Sequence, residues 1–209
     1  DEGYFPFGTK FEFGGESYQR QKETMMTLLR TPLTDWHASH NGRMVEFGGW
    51  EMPVQYTSIV EEHHAVRKAA GLFDISHMGR LQFTGADAPR VLDHLVTCRV
   101  DSLAVGQIRY GLMCNDAGGV LDDVLVYRNC DNIYGLVVNA SNAPKIKAWI
   151  EQRHGDLKAA SGTLDFQMKD LGPDSCMIAL QGPKALAILQ RLTTTDLAAM
   201  KYYSCTGGA

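Results

Sequence analysis

The feature that most constrains the fold is a pair of strand-like segments joined by a short glycine-containing loop. Residues 109–114 and 120–128 are largely apolar, and the five residues between them, Asn-Asp-Ala-Gly-Gly, are typical turn formers. A loop of this length joins antiparallel neighbours, since parallel strands need a much longer crossover. The sequence therefore predicts a β-hairpin, and a third strand, residues 133–140, follows after a turn.

Helical segments with recognisable caps lie between some of the strands. The predicted helices are residues 59–70, opened by the capping box Ser58–Glu61 and ended by Gly71; residues 88–97, capped by Asp87; residues 143–154, between Asn142 and Gly155; and a last helix from Pro183 to about Leu192, after a short strand at 177–180. Hairpin neighbours with helices between some of them indicate an α+β fold with a mostly antiparallel sheet and packed helices.

Composition and charge narrow the class of protein. Apolar residues make up 44% of the 209 residues and charged residues 21%, which is the balance of a globular protein with a core. The net charge of −4 is spread along the chain without a Lys/Arg-rich run, which argues against nucleic acid as a partner. No apolar run approaches the roughly 18 residues of a membrane span, so we expect no membrane partner.

Cysteine usage bears on metal sites and on the cellular compartment. The five cysteines are odd in number and form no Cys-x-x-Cys pair, which argues against a disulfide framework and against a structural zinc site. We therefore expect no metal and a reducing compartment. The first 24 residues carry five acidic and three basic side chains, unlike a transit peptide. The expected location is the cytoplasm, or the mitochondrial matrix if the source is eukaryotic.

Residues 1–24 differ in composition from the rest of the chain. They are rich in Gly, Phe and Tyr, and they show neither helical nor alternating periodicity. We interpret them as a leader or extension outside the fold, with Met25 and Met26 as candidate natural starts. The folded region is accordingly predicted to be residues 25–209.

Two adjacent carboxylates, Asp122 and Asp123, enter the apolar second strand of the hairpin. Because neighbouring strand residues point to opposite faces, one carboxylate points to a buried or pocket side and the other faces away. A carboxylate among apolar residues needs a partner, since burying it alone costs several kcal/mol. Two interpretations stay open: one carboxylate orients a ligand, or both only cap and bridge nearby loops.

Tyrosines accompany the carboxylates. Tyr110 and Tyr127 lie on the two strands of the hairpin, and Tyr202-Tyr203 follow later in the chain. Aromatic walls and one oriented carboxylate suit a flat heteroaromatic ligand such as a pterin. Core filling is the alternative role for these tyrosines.

A series of short motifs resembles the T-proteins, the aminomethyltransferases of the glycine cleavage system. In chain order the motifs are Arg30-Thr31-Pro32-Leu33, His37, Gly42-Arg43-Met44-Val45, Phe47 to Tyr56, Glu62-His63-His64-Ala65-Val66-Arg67, Gly71 to Gly79, Tyr110 with Gly118 to Asp123, Val137 to Ala140, Leu180 to Pro183, and Tyr202-Tyr203-Ser204. They cover residues 29–204 in the order expected of the N-terminal half of a T-protein, and together they are highly specific.

The resemblance implies an enzyme activity, a co-substrate and a partner. T-proteins take an aminomethyl group from the lipoyl arm of H-protein, release ammonia and pass the one-carbon unit to tetrahydrofolate, giving 5,10-methylenetetrahydrofolate. It also implies that residues 25–209 are a folate-binding region in which Asp123 is the catalytic carboxylate that meets the folate near N10. The implied folate-binding residues are Met78, Tyr110, Asp123, Leu125, Tyr127, Asn139, Tyr202 and Tyr203.

The resemblance also implies that part of the site is missing from this sequence. In T-proteins the second half supplies further walls of the folate pocket, so we expect residues 1–209 alone to have little or no activity. Two alternatives are a non-catalytic folate-binding module and the folate domain of a sarcosine or dimethylglycine dehydrogenase-like protein. The Asp122–Asp123 pair argues against the module, and the motifs from Arg30 to Tyr56 argue against the dehydrogenase domain.

Overall fold

The computed structural model describes residues 28–207, so the predicted leader at 1–24 lies outside the described residues. The strands and helices are β1 (Leu29–Arg30), α1 (Thr34–Ser39), β2 (Met44–Phe47), β3 (Trp50–Pro53), α2 (Ile59–Lys68), β4 (Gly71–Asp74), β5 (Gly79–Thr84), α3 (Ala88–Leu95), β6 (Ile108–Cys114), β7 (Val120–Cys130), β8 (Ile133–Val138), α4 (Ala143–Ser161), β9 (Gln167–Asp170), β10 (Ile178–Gln181) and α5 (Ala185–Leu189). Short 3₁₀ turns follow β8 and α5 and precede residue 200.

The principal sheet has five strands in the order β6-β7-β8-β5-β9, and every neighbouring pair in it is antiparallel. The predicted hairpin is confirmed as β6 and β7, with Tyr110 opposite Leu125 and Leu112 opposite Asp123. Asn115 fixes the connecting loop, because its side-chain oxygen accepts from the N–H groups of Ala117 and Gly119. The sheet and its packed helices confirm the α+β class.

One face of this sheet forms the hydrophobic core. Alternate residues of β5, β7 and β8 point into it, and α3 and α4 cover it with their apolar stripes. The fully buried side chains at its centre include Phe83, Leu92, Val126, Leu136 and Ile150. The opposite face carries the alternating partners of these residues, and part of it is open to solvent.

Two of the predicted cap residues, Asp87 and Asn142, stand at the N-cap positions of α3 and α4 but do not bond the helix ends with their side chains. Ser58 does accept from the N–H of Glu61, as the capping box predicts. Asp87 and Asn142 make no side-chain cap hydrogen bond. The Asp87 carboxylate accepts instead from the N–H of Asp165, and the Asn142 amide donates to Asp122, so tertiary contacts take both side chains away from the helix ends.

Several predicted boundaries also need correction. Helix α4 continues through Gly155 to Ser161, because Leu157 on its added turns packs against the core, and it ends at Gly162, which has φ +82°. Helix α3 ends at Leu95, since Val96 is drawn into a bridge with Met113. The remaining predicted elements shift by a few residues: α2 ends at 68, β8 at 138, β10 begins at 178, and α5 ends at 189 before a 3₁₀ turn.

Neither of the two smaller sheets was predicted from the sequence, and of their strands only β10 was predicted. Strands β1, β2 and β3 form a three-stranded sheet in which β1 and β3 run parallel, and β4 pairs with β10 in a separate antiparallel ribbon. These strands are only two to four residues long, too short to show a periodicity. The ribbon matters for the site because it joins the Asp74–Gly79 segment to residues 177–181 beside the principal sheet.

Candidate functional site

Asp123 lies on the open face of the principal sheet. It is exposed, whereas its neighbours Asp122 and Val124 are 3% and 2% exposed. Leu125 and Tyr127 follow Asp123 on the same face, as the predicted two-residue alternation requires. Across the hairpin Tyr110 pairs with Leu125, so its ring lies on this face as well, and it is half exposed. The face therefore presents one accessible carboxylate beside an accessible phenol.

Asp122 points into the core and is fully paired there. Its Oδ2 accepts from the backbone N–H of Asn139 at 2.9 Å, and its Oδ1 accepts from the side-chain amides of Asn139 at 2.8 Å and Asn142 at 2.7 Å. The carboxylate also lies near the start of α4, where the helix dipole favours negative charge. These contacts supply the partner that a buried carboxylate requires.

Asn139 connects the two aspartates. It follows directly after β8 and precedes the 3₁₀ turn that leads into α4. Its Nδ2 lies 2.8 Å from Asp122 Oδ1, 2.8 Å from Asp123 Oδ1 and 3.3 Å from the Asp123 carbonyl oxygen. A single amide group therefore bonds the buried carboxylate on one side and the exposed carboxylate on the other.

Tyr202 and Tyr203 join the same edge of the sheet, although more than 70 residues separate them from Tyr127. The Tyr203 carbonyl accepts from the N–H of Ile108 at 2.9 Å, and Ser204 forms a bridge with Gln107, so this segment runs beside the start of β6. The two tyrosine rings pack edge to face with centroids 4.4 Å apart. The backbone pairing thus adds two phenol rings to the end of the open face.

The phenols around the face are held in the protonated form. Burial, and then the negative charge of Asp123, raises the pKa of Tyr110. Burial, and then the neighbouring Cys205 and Tyr203 groups, raises the pKa of Tyr127. A hydrogen bond with Tyr202 raises the pKa of Tyr203. At neutral pH these three side chains therefore offer O–H donors together with apolar ring faces.

Met78 lies at the same end of the sheet as Asn139, because Gly79 pairs with Val138 on the adjacent strand. It lines a pocket of about 660 Å³ together with Trp50, His77 and Pro144. The structure thus places all eight predicted site residues on or beside one sheet. Asp123, Leu125, Tyr110 and Tyr127 share its open face, Asn139 and Met78 stand at one end, and Tyr202 and Tyr203 border the start of β6.

A second polar cluster was missed by the sequence analysis. The buried Asp74 carboxylate accepts from Thr31 Oγ1 at 2.7 Å and from the N–H of Ser76 at 2.8 Å, and it lies 2.9 Å from His37 Nε2. The other ring nitrogen of His37 contacts the hydroxyl of Tyr56. His37, Tyr56 and Asp74 border an apolar pocket of about 750 Å³. No sequence signal pairs them, since His37 and Asp74 are 37 positions apart.

Within residues 28–207 no three His, Cys, Asp or Glu side chains are grouped as metal ligands would be. In the same part of the chain no helix has the length and apolar character needed to cross a membrane. The adjacent His63 and His64 rings have their centroids 5.8 Å apart on α2.

Comparisons with known proteins converge on one family. Residues 33–209 match the family model described as the GCVT N-terminal domain. Relatives named aminomethyltransferase from Bacillus cytotoxicus, Desulfitobacterium hafniense and Bacillus subtilis are 44%, 45% and 44% identical over 179, 179 and 177 residues. These alignments cover 86%, 86% and 85% of this chain and 47% of each relative, so the chain spans about half the length of the curated relatives it matches.

A solved structure gives the same picture. The crystal structure of glycine cleavage system aminomethyltransferase T from Bartonella henselae superposes with a TM-score of 0.78 at 31% sequence identity. The superposition covers 88% of this chain and 48% of that one. Likeness in sequence and likeness in fold therefore each extend over about half of these longer proteins.

Proposed function

The chain belongs to the aminomethyltransferase family, through the GCVT N-terminal domain that it carries over residues 33–209, and from this premise we propose that it serves the transfer step of the glycine cleavage system. In this proposal the one-carbon unit leaves the aminomethyl-lipoyl arm of H-protein and is transferred to tetrahydrofolate. Ammonia is released and 5,10-methylenetetrahydrofolate is formed. The family premise agrees with the resemblance drawn from the sequence motifs.

The observation that carries this proposal is the position of Asp123. It is an exposed carboxylate on the open face of a sheet, its orientation is fixed by Asn139 at 2.8 Å, and the Tyr110 phenol adjoins it. A buried carboxylate is normally paired by hydrogen bonds, as Asp122 is. Asp123 instead keeps most of its acceptor capacity for a ligand.

The proposed role of Asp123 is electrostatic. Its carboxylate would hold the folate in register and stabilise the positive charge that develops on the one-carbon unit as ammonia leaves. Strong general-base strength is not needed for this role, because the accepting folate nitrogens already carry a lone pair. Asn139 limits the rotation of the carboxylate before any ligand binds, which lowers the cost of placing its charge.

The aromatic side chains suit the flat heteroaromatic part of folate. Tyr110, Tyr127 and Leu125 give the open face an apolar wall, and the protonated phenols can donate hydrogen bonds from its edge. Tyr202 is 88% exposed and Tyr203 is 40% exposed, so both rings are available to cover a ligand at the β6 end. Met78 and Asn139 would close the opposite end.

A three-arm assay tests the proposed function in a full-length background that includes residues 1–209, which is called the intact protein below. In the first arm, tetrahydrofolate and aminomethylated H-protein are supplied together, and ammonia and 5,10-methylenetetrahydrofolate are measured. The second arm measures binding of tetrahydrofolate, and the third supplies free formaldehyde without H-protein. Equal amounts of both products support the aminomethyltransferase reaction. Binding of tetrahydrofolate without transfer indicates a non-catalytic folate module, and capture of free formaldehyde without use of H-protein indicates a sarcosine or dimethylglycine dehydrogenase-like role. Either of these outcomes would overturn the proposal.

A further inference from the structure

We propose that Asp122, the buried member of the pair, is a positioning residue that acts on Asp123 through Asn139. This inference rests on the proposed function, because it concerns the geometry of the carboxylate assigned to the reaction. Its basis is the shared amide: Nδ2 of Asn139 is 2.8 Å from an oxygen of each aspartate. Asp122 itself has no access to a ligand, since it is only 3% exposed.

The chemistry of the three groups fixes the direction of the Asn139 amide. Ionised carboxylates only accept hydrogen bonds, so the nitrogen of the amide must face both of them, and its oxygen must point away. The nitrogen carries two hydrogens. With one hydrogen bonded to Asp122, the other is directed at Asp123. The orientation of the amide is therefore set by the buried carboxylate.

Asp122 also fixes the backbone of Asn139. Its Oδ2 accepts from the Asn139 N–H at 2.9 Å while its Oδ1 holds the side chain of the same residue, so one carboxylate binds both ends of Asn139. This pair of hydrogen bonds restricts both the backbone and the side-chain conformation of Asn139 at the junction of β8 and the following 3₁₀ turn. A carboxylate is expensive to bury in an apolar strand. Burial of Asp122 is useful here because it holds the Asn139 amide as a hydrogen-bond donor beside the exposed Asp123.

Asn142 supplies a matched control. Its side-chain amide also donates to Asp122 Oδ1, at 2.7 Å, but it does not contact Asp123. Asn142→Ala therefore removes a hydrogen bond from the same buried carboxylate and leaves the link through Asn139 in place. A purely structural role of Asp122 predicts similar effects of Asp122→Asn and Asn142→Ala on turnover once the proteins are folded.

The test is a double-mutant cycle between Asp122→Asn and Asn139→Ala in the intact protein, with kcat, the KM for tetrahydrofolate and the thermal midpoint measured for each variant. Asp122→Asn replaces one acceptor oxygen of the carboxylate by an NH2 donor. This donor faces one of the N–H groups that the wild-type carboxylate accepts from, so Asn139 loses part of its hydrogen bonding to residue 122. We expect Asp122→Asn to lower kcat about tenfold in the wild-type background and less than about twofold in the Asn139→Ala background. We expect Asn142→Ala to lower the thermal midpoint and keep kcat within about twofold of wild type.

Three outcomes would overturn the inference. The first is an equal loss of kcat from Asp122→Asn in both backgrounds, which means that Asp122 acts by its charge or by stability. The second is a loss of kcat in Asn142→Ala as large as that in Asp122→Asn. If Asp122→Asn does not fold, the test depends on Asn139→Ala. A kcat of Asn139→Ala within about twofold of wild type then rejects the inference. A wild-type protein without transferase activity would instead refute the proposed function, and this inference with it.

Discussion

The side-chain nitrogen of Asn139 lies 2.8 Å from a carboxylate oxygen of Asp123. This contact joins the end of β8 to the middle of the neighbouring strand β7, and it fixes an exposed charge on an otherwise aromatic and aliphatic surface. Exposed carboxylates on strands usually rotate freely in water. A carboxylate held by an amide from the next strand has a defined direction, which is what an electrostatic role in a transfer reaction requires.

The buried Asp74 cluster predicts a specific dependence of stability on pH. Burial alone would raise the pKa of Asp74, but hydrogen bonds from His37, Ser76 and Thr31 outweigh it and hold the pKa below 3.8. A carboxyl whose pKa is lowered by folding stabilises the protein while it is ionised. This contribution is fully present well above pH 3.8, and it is lost as the pH falls below 3.8 towards the lower value in the folded protein.

Asp74→Asn should therefore lower the free energy of unfolding by about 2–3 kcal/mol at pH 7, the usual loss for a buried hydrogen-bonded charge. The difference from wild type should shrink as the pH falls below 3.8. Urea unfolding at several pH values measures it. Asp131→Asn is the control, since that side chain is 85% exposed in its ion pair with Arg128 and should change stability by less than about 0.5 kcal/mol. A difference that stays constant down to pH 2.5 would contradict the assignment.

The leader interpretation predicts that residues 1–24 add nothing to the stability of the fold. A polypeptide that begins at Met26 should unfold with the same thermal midpoint and the same cooperativity as the longer chain, because the hydrophobic core cluster among the described residues begins at Leu81, far along the chain from the leader. Differential scanning calorimetry of the two polypeptides measures this. A drop of several degrees in the shorter polypeptide would mean that the leader packs on the core.

The open site predicts low activity for the polypeptide of residues 1–209. Asp123 and Tyr110 face solvent, and the matched relatives are about twice as long as the part that this chain covers. An uncovered site leaves the reacting groups in water, where electrostatic stabilisation is weak. Release of ammonia from aminomethylated H-protein with tetrahydrofolate should be far slower than with the aminomethyltransferase of Bacillus subtilis. Comparable rates would refute this expectation.

Local patterns predicted the centre of the site, and tertiary contacts decided the rest. The two-residue alternation of β7 was sufficient to place Asp123, Leu125 and Tyr127 on one face and Asp122 on the other. The partners of Asp122 could not be predicted, because Asn139 and Asn142 reach it only when β8 pairs with β7 and turns into α4. Local cap rules assigned Asn142 to the helix end, and the buried carboxylate outcompeted that role.

Dependence on tertiary contacts also explains the other features that were not predicted from the sequence. From local sequence alone, Gly155 predicts the end of a helix. In the structure α4 continues beyond it, because Leu157 packs against the core. The His37–Asp74 contact joins segments that are 37 residues apart and belong to different short strands and helices. Motif resemblance did identify both segments, but it gave no information about which side chains meet. Those contacts follow from topology, which periodicity does not encode.

Asp123 is the residue proposed to act in the transfer reaction, and its substitution can be compared with two matched changes. Asp123→Asn keeps the shape of the side chain and removes the charge. Asp116→Asn changes a carboxylate in the loop of the same hairpin that is 81% exposed and paired with Arg153, so it controls for charge near the site. Asp122→Asn changes the buried neighbour, and its effect on kcat should be smaller than that of Asp123→Asn.

The deciding measurement is kcat for 5,10-methylenetetrahydrofolate formation by these variants of the intact protein, with thermal midpoints recorded in parallel. Asp123→Asn should stay folded and lose about 10²-fold or more in kcat, roughly 3 kcal/mol of transition-state stabilisation, as expected for one preorganised electrostatic group. Asp116→Asn should retain wild-type kcat. A kcat for Asp123→Asn within about twofold of wild type, or a larger loss in Asp122→Asn at equal stability, would show that Asp123 is not the reacting carboxylate.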